Sequence, residues 1–100
     1  MASHHSPLHE EFYRGILTLK TEAECRAFFE DVCTIKELEA LAQRFQVAQL
    51  LSDGKNYNEI NDQTGVSTAT ICRVSKCLNY GSGGYKTVLG RLDPPDPETI

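Results

Sequence analysis

The sequence lacks the features of a membrane-spanning or secreted protein. No apolar run approaches the roughly 20 residues that a transmembrane helix needs. Residues 1–9 have neither the basic start nor the apolar segment that would indicate a signal peptide. We therefore expect a cytoplasmic protein with no membrane partner. A chain of 100 residues is also expected to form one domain.

Metal ligands and catalytic groups are missing at the spacings that their chemistry requires. The cysteines at positions 25, 33, 72 and 77 form no CxxC pair, and all histidines lie before residue 10. Because a zinc site needs ligands paired at short spacing, we expect no metal. For the cysteines, free thiols are favoured over a redox switch. No Ser–His–Asp set, phosphate-binding loop or carboxylate pair occurs. The sequence therefore predicts neither an enzyme nor a cofactor.

Positive charge is scarce overall but concentrated in one segment. The formal net charge is −4, and residues 1–62 contain six Lys or Arg against eleven Asp or Glu. Residues 63–92 contain four basic residues and no acidic one. The four are Arg73, Lys76, Lys86 and Arg91. Local charge of this sign suits contact with nucleic-acid phosphates, although chance clustering is the alternative.

Residues 57–78 have the pattern of two helices joined by a tight turn. In the first helix, Ile60 and Thr64 are spaced to point inward. Gly65 allows a positive φ at the turn, and Val66 is placed to fill the space behind it. Asn61 stands where close helix packing favours Ala or Gly, so its side chain is expected to tilt outward or to open the helix crossing.

The second helix of this pair has one apolar face and one polar face. Ser67 is a natural N-cap, and Ile71, Val74 and Leu78 recur at the spacing of a single helix face. The other face is polar and basic. This pattern predicts a helix-turn-helix whose second helix enters the DNA major groove. An ordinary helical hairpin packed in a core is the alternative.

Helical patterns occur through the rest of the chain, and no strand pattern is present. We predict helices over His9–Leu17 and Tyr85–Leu92. Two further helices begin with the Ser/Thr-x-x-Glu pattern of a capping box, one at Thr21 and one at Thr34. The fold is therefore expected to be all-α.

The predicted helix Ile35–Leu51 is apolar on more than one side, which indicates more than one packing partner. In so short a chain, a second subunit is the expected source of that partner surface. We predict a single helical domain over residues 9–92, with the helix-turn-helix at 57–78. The flanking residues, 1–8 and 93–100, are expected to be flexible and disordered, respectively.

The run Thr34–Leu78 resembles the Trp repressor superfamily, most closely its YerC/YecD-like branch. The resemblance is carried by CTIKELEALAQRFQVAQLL, by the helix Tyr57–Gly65, and by STATICRVSKCLNYG with GGY after it. It implies a Trp repressor-like helix-turn-helix bundle that forms an intertwined homodimer. It also implies a sequence-specific DNA-binding transcriptional regulator, a repressor, whose partner is a pseudo-palindromic operator. The half-sites should lie ~10 bp apart because the dimer axis relates the two recognition helices.

The resemblance places DNA contacts on both helices of the pair. The contact positions are Tyr57, Asn58, Asn61, Ser67, Thr68, Ala69, Thr70, Cys72, Arg73 and Lys76. The chemistry is clearest for Arg73, which can fork onto guanine, and for the methyl groups of Thr68 and Ala69, which can meet a thymine methyl. Asn58 and Asn61 stand where the Trp repressor has cationic residues, so attraction to the phosphates should be weaker.

The Trp repressor uses tryptophan as its corepressor, and the resemblance places a matching pocket at five positions. They are Thr34, Arg44, Arg73, Val74 and Cys77. Both arginines that flank the indole are present, but Val74 replaces a glycine and Cys77 replaces a serine that helps to hold the amino group. We therefore expect that tryptophan is not the effector. Either Val74 fills the pocket and DNA binding is constitutive, or a smaller ligand is used.

Two other functions stay open. An amino-acid-responsive repressor would retain a pocket at Arg44 and Arg73, and ligand would raise its melting temperature. A dimeric protein-interaction module would not bind DNA at all. The acidic total charge and the neutral side chains of Asn58 and Asn61 favour this module slightly.

Overall fold

The computed structural model describes residues 6–92, which form six α-helices and no strand. The helices are α1 (Pro7–Ile16), α2 (Glu22–Val32), α3 (Ile35–Ser52), α4 (Tyr57–Thr64), α5 (Thr68–Tyr80) and α6 (Gly84–Leu92). The predicted all-α fold is confirmed. The segment predicted to be disordered, 93–100, lies outside the described residues, as do residues 1–5 of the predicted flexible start. No helix within the described part is both long and apolar enough to cross a membrane.

Side-chain caps start α2 and α3, as predicted, but in different ways. At α3 the box is complete, because Glu37 N donates to Thr34 Oγ1 at 3.1 Å and Thr34 N donates to Glu37 Oε1 at 2.8 Å. At α2, Thr21 Oγ1 accepts from Glu24 N at 3.1 Å, but the Glu24 carboxylate accepts from Lys20 N at 2.8 Å. The Glu24 carboxylate therefore satisfies the Lys20 amide, one residue before the Thr21 amide that a capping box would satisfy.

The chain divides into two compact units, Met1–Leu38 and Glu39–Ile100. Aromatic contacts join α1 and α2 in the first unit: the ring centroids of Phe12 and Phe28 are 6.0 Å apart, and Phe28 meets Phe29 edge-on at 5.4 Å. The first pair is tilted by 31°, and the edge-on geometry of the second is a favourable one for aromatic rings. The single domain predicted over residues 9–92 stays a prediction.

No residue among 6–38 of the first unit is buried. Leu8, Leu17 and Ile35 are 79%, 82% and 87% exposed. The N-terminal half of α3 shares this property, and its apolar side chains are only partly covered or exposed. The first unit therefore carries exposed apolar side chains.

The second unit contains the core. The buried side chains are those of Val47 and Ala48 in α3, Ile60 in α4, Val66 in the turn, and Ile71 and Val74 in α5. Half-buried Tyr85 and Leu89 of α6 pack against them. The predicted inward face of α5 is confirmed for Ile71 and Val74, whereas Leu78 is half-buried. Because this core lies behind the α4–turn–α5 segment, it holds the two helices at a defined angle.

Candidate nucleic-acid interface

The first helix of the pair, α4, begins with a capping box. Glu59 N donates to Asn56 Oδ1 at 2.9 Å, and Asn56 N donates to Glu59 Oε1 at 3.0 Å. The two bonds satisfy amides that a helix start leaves without a partner. This box does not match the usual pattern with Ser or Thr at the first position, although Asn is an equally good N-cap. It fixes the backbone beside Tyr57 and Asn58, two of the predicted DNA contacts.

The turn between the helices depends on Gly65. Its φ of +75° lies in the left-handed region, and its N–H donates to the Asn61 carbonyl at 2.8 Å. A Cβ built at Gly65 would meet nothing within 4 Å, so the requirement for glycine is conformational and not steric. The predicted role of Gly65 is confirmed, and buried Val66 follows it as predicted.

Side chains of α4 form hydrogen bonds with the backbone of the turn. Asn61 Nδ2 donates to the Val66 carbonyl at 2.8 Å. Thr64 Oγ1 donates to the Ile60 carbonyl at 2.7 Å and accepts from Val66 N at 3.1 Å. The resemblance implies that Asn61 is a DNA contact, whereas in the structure its amide group faces the turn.

Helix α5 starts at the predicted N-cap. Ser67 Oγ accepts from Thr70 N at 3.2 Å, and the two hydroxyl oxygens of Ser67 and Thr70 are also 3.2 Å apart. This confirms the capping role of Ser67. Thr70 is half-buried and its hydroxyl is engaged at the cap. Its polar group is therefore turned toward the helix start.

Five of the predicted contact residues share the outer face of α5. At about 100° per residue, they span an arc of about 140°, opposite the buried Ile71 and Val74. They are Thr68, Ala69, Cys72, Arg73 and Lys76. All except half-buried Cys72 are exposed. The face presents methyl groups near the N-terminus of α5 and cations further along.

The charges on this face are not paired with acidic side chains among residues 6–92. Arg73 and Lys76 form no ion pair with any described residue, and residues 63–92 contain no acidic side chain. The ion pairs found among residues 6–92 lie far away in sequence, at Arg14–Glu11 and Arg26–Glu22. The face therefore keeps a positive charge that an anionic partner could meet.

The five residues of the predicted effector pocket have different environments. Thr34 belongs to the first unit, where it caps α3. In the second unit, Arg44 is half-buried, Arg73 and Cys77 are exposed, and Val74 is 1% exposed within the core. Arg44 forms no ion pair or hydrogen bond with a described residue. The Val74 side chain is therefore packed within the protein core.

A cleft of about 580 Å³ lies elsewhere in the second unit, between the ends of α3 and α5 and helix α6. It combines leucine side chains with Asp53 and Lys86, and none of the five predicted pocket residues lines it. No group of His, Cys, Asp and Glu within the described residues could hold a metal ion. The four cysteines are free, consistent with the predicted thiols.

Comparison with known proteins places this architecture in a family. The family model described as "Trp repressor protein" matches residues 8–93. The uncharacterised protein YerC of Bacillus subtilis is 46% identical over 90 residues, which cover 90% of this chain and 86% of YerC. A crystal structure of a Trp repressor-like protein from Eubacterium eligens superposes with a TM-score of 0.85 at 46% identity, over 92% of this chain and 95% of the other. A candidate Trp repressor from Staphylococcus aureus gives a TM-score of 0.82 at 40% identity, over 87% of each chain.

Proposed function

The chain belongs to the Trp repressor protein family, and from that premise we propose that it is a sequence-specific DNA-binding repressor that acts as a homodimer in the cytoplasm. Members of this family are regulators and not enzymes, and so is this chain. The observation that carries the proposal is the outer face of α5, where exposed cations and methyl groups lie opposite a buried apolar stripe.

Each group on that face suits a different part of a DNA duplex. Arg73 can donate two hydrogen bonds to a guanine edge, and the Thr68 and Ala69 methyl groups can contact a thymine methyl. Lys76 lies further along the helix, where a phosphate contact is the simplest role. On α4, exposed Tyr57 and Asn58 lie beside the helix N-terminus, where backbone amides attract phosphate.

The homodimer is supported by apolar surface in the first unit. No residue of α1 or α2 is buried, and Leu8 and Leu17 are about four-fifths exposed. Apolar surface of this extent is unfavourable in water and favours coverage by a partner. A second copy is the partner we propose, because a twofold axis would present two recognition helices to a pseudo-palindromic site with half-sites ~10 bp apart.

We propose that tryptophan is not the effector of this repressor. The support comes from Val74, whose side chain is 1% exposed and packs among Val47, Ala48 and Ile71. Removing Val74 from that position to admit an indole would break core contacts that the fold needs. DNA binding without a corepressor follows most simply from this packing.

The proposal is tested by selecting genomic DNA fragments with the purified protein, with and without a pool of amino acids. Enrichment of one palindromic site under both conditions is the expected result. Enrichment only with the pool would replace this proposal with an effector-dependent repressor. No enrichment, together with a stable dimer in solution, would favour the protein-interaction module.

An amino-acid-responsive repressor is the second candidate, and Arg44 favours it. This half-buried cation has no ionic partner among residues 6–92, and a partly desolvated charge is stabilised by an anion. A free carboxylate would supply one. A melting-temperature screen of individual amino acids tests this candidate, since ligand binding to the folded state raises the melting temperature.

A further inference from the structure

We propose that Asn61 is a positioning residue that orients the recognition helix through the Val66 carbonyl and does not act as a phosphate contact. The inference rests on the proposed DNA-binding function. It assigns to Asn61 a role in specificity that differs from the direct DNA contact expected at this position.

The Asn61 amide already has a protein partner in the DNA-free chain. Its Nδ2 donates to the Val66 carbonyl at 2.8 Å, although the residue as a whole is exposed. Only the –NH2 end of the amide can make this bond, because a carbonyl oxygen accepts and cannot donate. One of the two N–H donors that could approach a phosphate is therefore engaged at the turn.

The bonded carbonyl lies at a position that controls α5. It belongs to the peptide that joins Val66 to Ser67, and Ser67 is the N-cap of the recognition helix. Rotation of that peptide would change the direction in which the chain enters the cap. Fixing its carbonyl therefore fixes the first turn of α5, where Thr68 and Ala69 face outward.

Thr64 holds the other backbone group of Val66. Its hydroxyl accepts from Val66 N at 3.1 Å while donating to the Ile60 carbonyl at 2.7 Å. Within the described residues, Val66 has no backbone hydrogen-bond partner, so side chains of α4 satisfy both its N–H and its C=O. Buried polar backbone groups need such partners, and here these partners also set the helix angle.

Positioning and phosphate contact predict different binding behaviour. Loss of a phosphate contact weakens binding to all duplexes about equally, whereas disturbance of base readout weakens binding to the specific site. Loss of a hydrogen bond that fixes the recognition helix should therefore reduce the preference for the operator. General attraction to DNA should be retained.

The experiment compares Asn61→Ala and Asn61→Leu with the wild type. Leu preserves the approximate shape of Asn and removes the donor. Asn79→Ala is the matched control, because Asn79 Nδ2 makes the same kind of bond, to the Ser75 carbonyl at 2.9 Å, near the far end of α5. Affinity is measured for the fragment that the wild type selects and for a random duplex of equal length, at one salt concentration. Amide hydrogen exchange is measured on the DNA-free proteins.

We expect both Asn61 variants to bind the selected fragment about fivefold more weakly, the effect of one modest hydrogen bond. Binding to the random duplex should change less than about twofold, as expected when phosphate contacts are kept. Exchange should accelerate at Val66, Thr70 and Ile71, whose amides are hydrogen-bonded at the turn and the cap, and stay unchanged in α3, which a general loss of stability would not produce. Asn79→Ala should leave all three measurements unchanged.

Equal weakening on both duplexes would overturn the inference in favour of a phosphate contact. Unchanged affinity for the selected fragment, or faster exchange throughout the fold, would also overturn it. These outcomes leave the proposed function intact. A wild-type protein that does not distinguish any fragment from the random duplex would instead refute the proposed function, and the positioning role with it.

Discussion

Truncation of Val74 to alanine tests whether this side chain belongs to the core. Val74 is 1% exposed and packs among buried residues of α3, α4 and α5. The truncation removes the equivalent of two methylene groups, which are worth about 1.6 kcal/mol in transfer free energy. Incomplete collapse around the cavity adds to this, so we expect a total loss of about 2–3 kcal/mol in the free energy of unfolding.

Urea denaturation followed by circular dichroism measures this loss. Protomer concentration must be held constant, because association contributes to the stability of a dimer. Val88→Ala on α6 is the matched control, since Val88 is 49% exposed in the protomer. About half of the same truncation energy, under ~1 kcal/mol, is expected there. A larger cost that varies with protein concentration would report coverage of Val88 by a second copy.

The same variant separates a core residue from a residue that plugs a ligand site. If Val74 only occupied ligand space, its truncation would cost little stability, and added tryptophan would raise the melting temperature of the variant. A core position predicts a substantial loss of stability and no response to tryptophan. A loss below ~0.5 kcal/mol, the level of an ordinary surface substitution, combined with a tryptophan-dependent shift would refute the assignment of Val74 to the core.

Three further substitutions test the turn, the proposed dimer and the proposed DNA-contacting face. Gly65→Ala should destabilise the fold by about 1–2 kcal/mol, because Gly65 has a positive φ. Gly15→Ala, at a helical site with open space, should instead stabilise α1 by up to ~1 kcal/mol. Equal shifts in the melting temperatures of the two variants would refute this explanation. Leu17→Glu should leave the helical circular dichroism unchanged and dissociate the dimer in sedimentation experiments, and an intact dimer would place the interface elsewhere. Arg73→Ala should weaken operator binding by about 1–3 kcal/mol, while Arg14→Ala on α1 should not; unchanged affinity would remove Arg73 from base readout.

Local signals in the sequence predicted the helices well. The caps at Ser67 and Thr34 depend on side chains within three residues of the amides that they satisfy, and both form as predicted. The requirement for Gly65 is equally local, since it follows from one backbone torsion. The predicted α3 ended one residue early, at Leu51 instead of Ser52, because helix ends depend on weak hydrogen bonds in the last turn.

The direction of individual polar side chains was harder to predict. Asn61 is compatible with a DNA contact on grounds of sequence, and only the position of the Val66 carbonyl shows that its amide is engaged in the turn. The half-buried state of Arg44 was equally hard to predict, because it depends on how whole helices pack. Such contacts join residues whose separation in space is set by the fold.

By itself, the sequence determined the helical class, the turn at Gly65, the caps at Thr34 and Ser67, and the arc of predicted contact residues on α5. These features follow from hydrogen bonds and side-chain spacing within a few residues, so a linear pattern contains them. Only the tertiary structure decided that α1 and α2 contain no buried residue and that Asn61 Nδ2 donates to the Val66 carbonyl in the turn. Burial and side-chain direction depend on which helices meet and at what angle, and periodicity along one helix does not specify either.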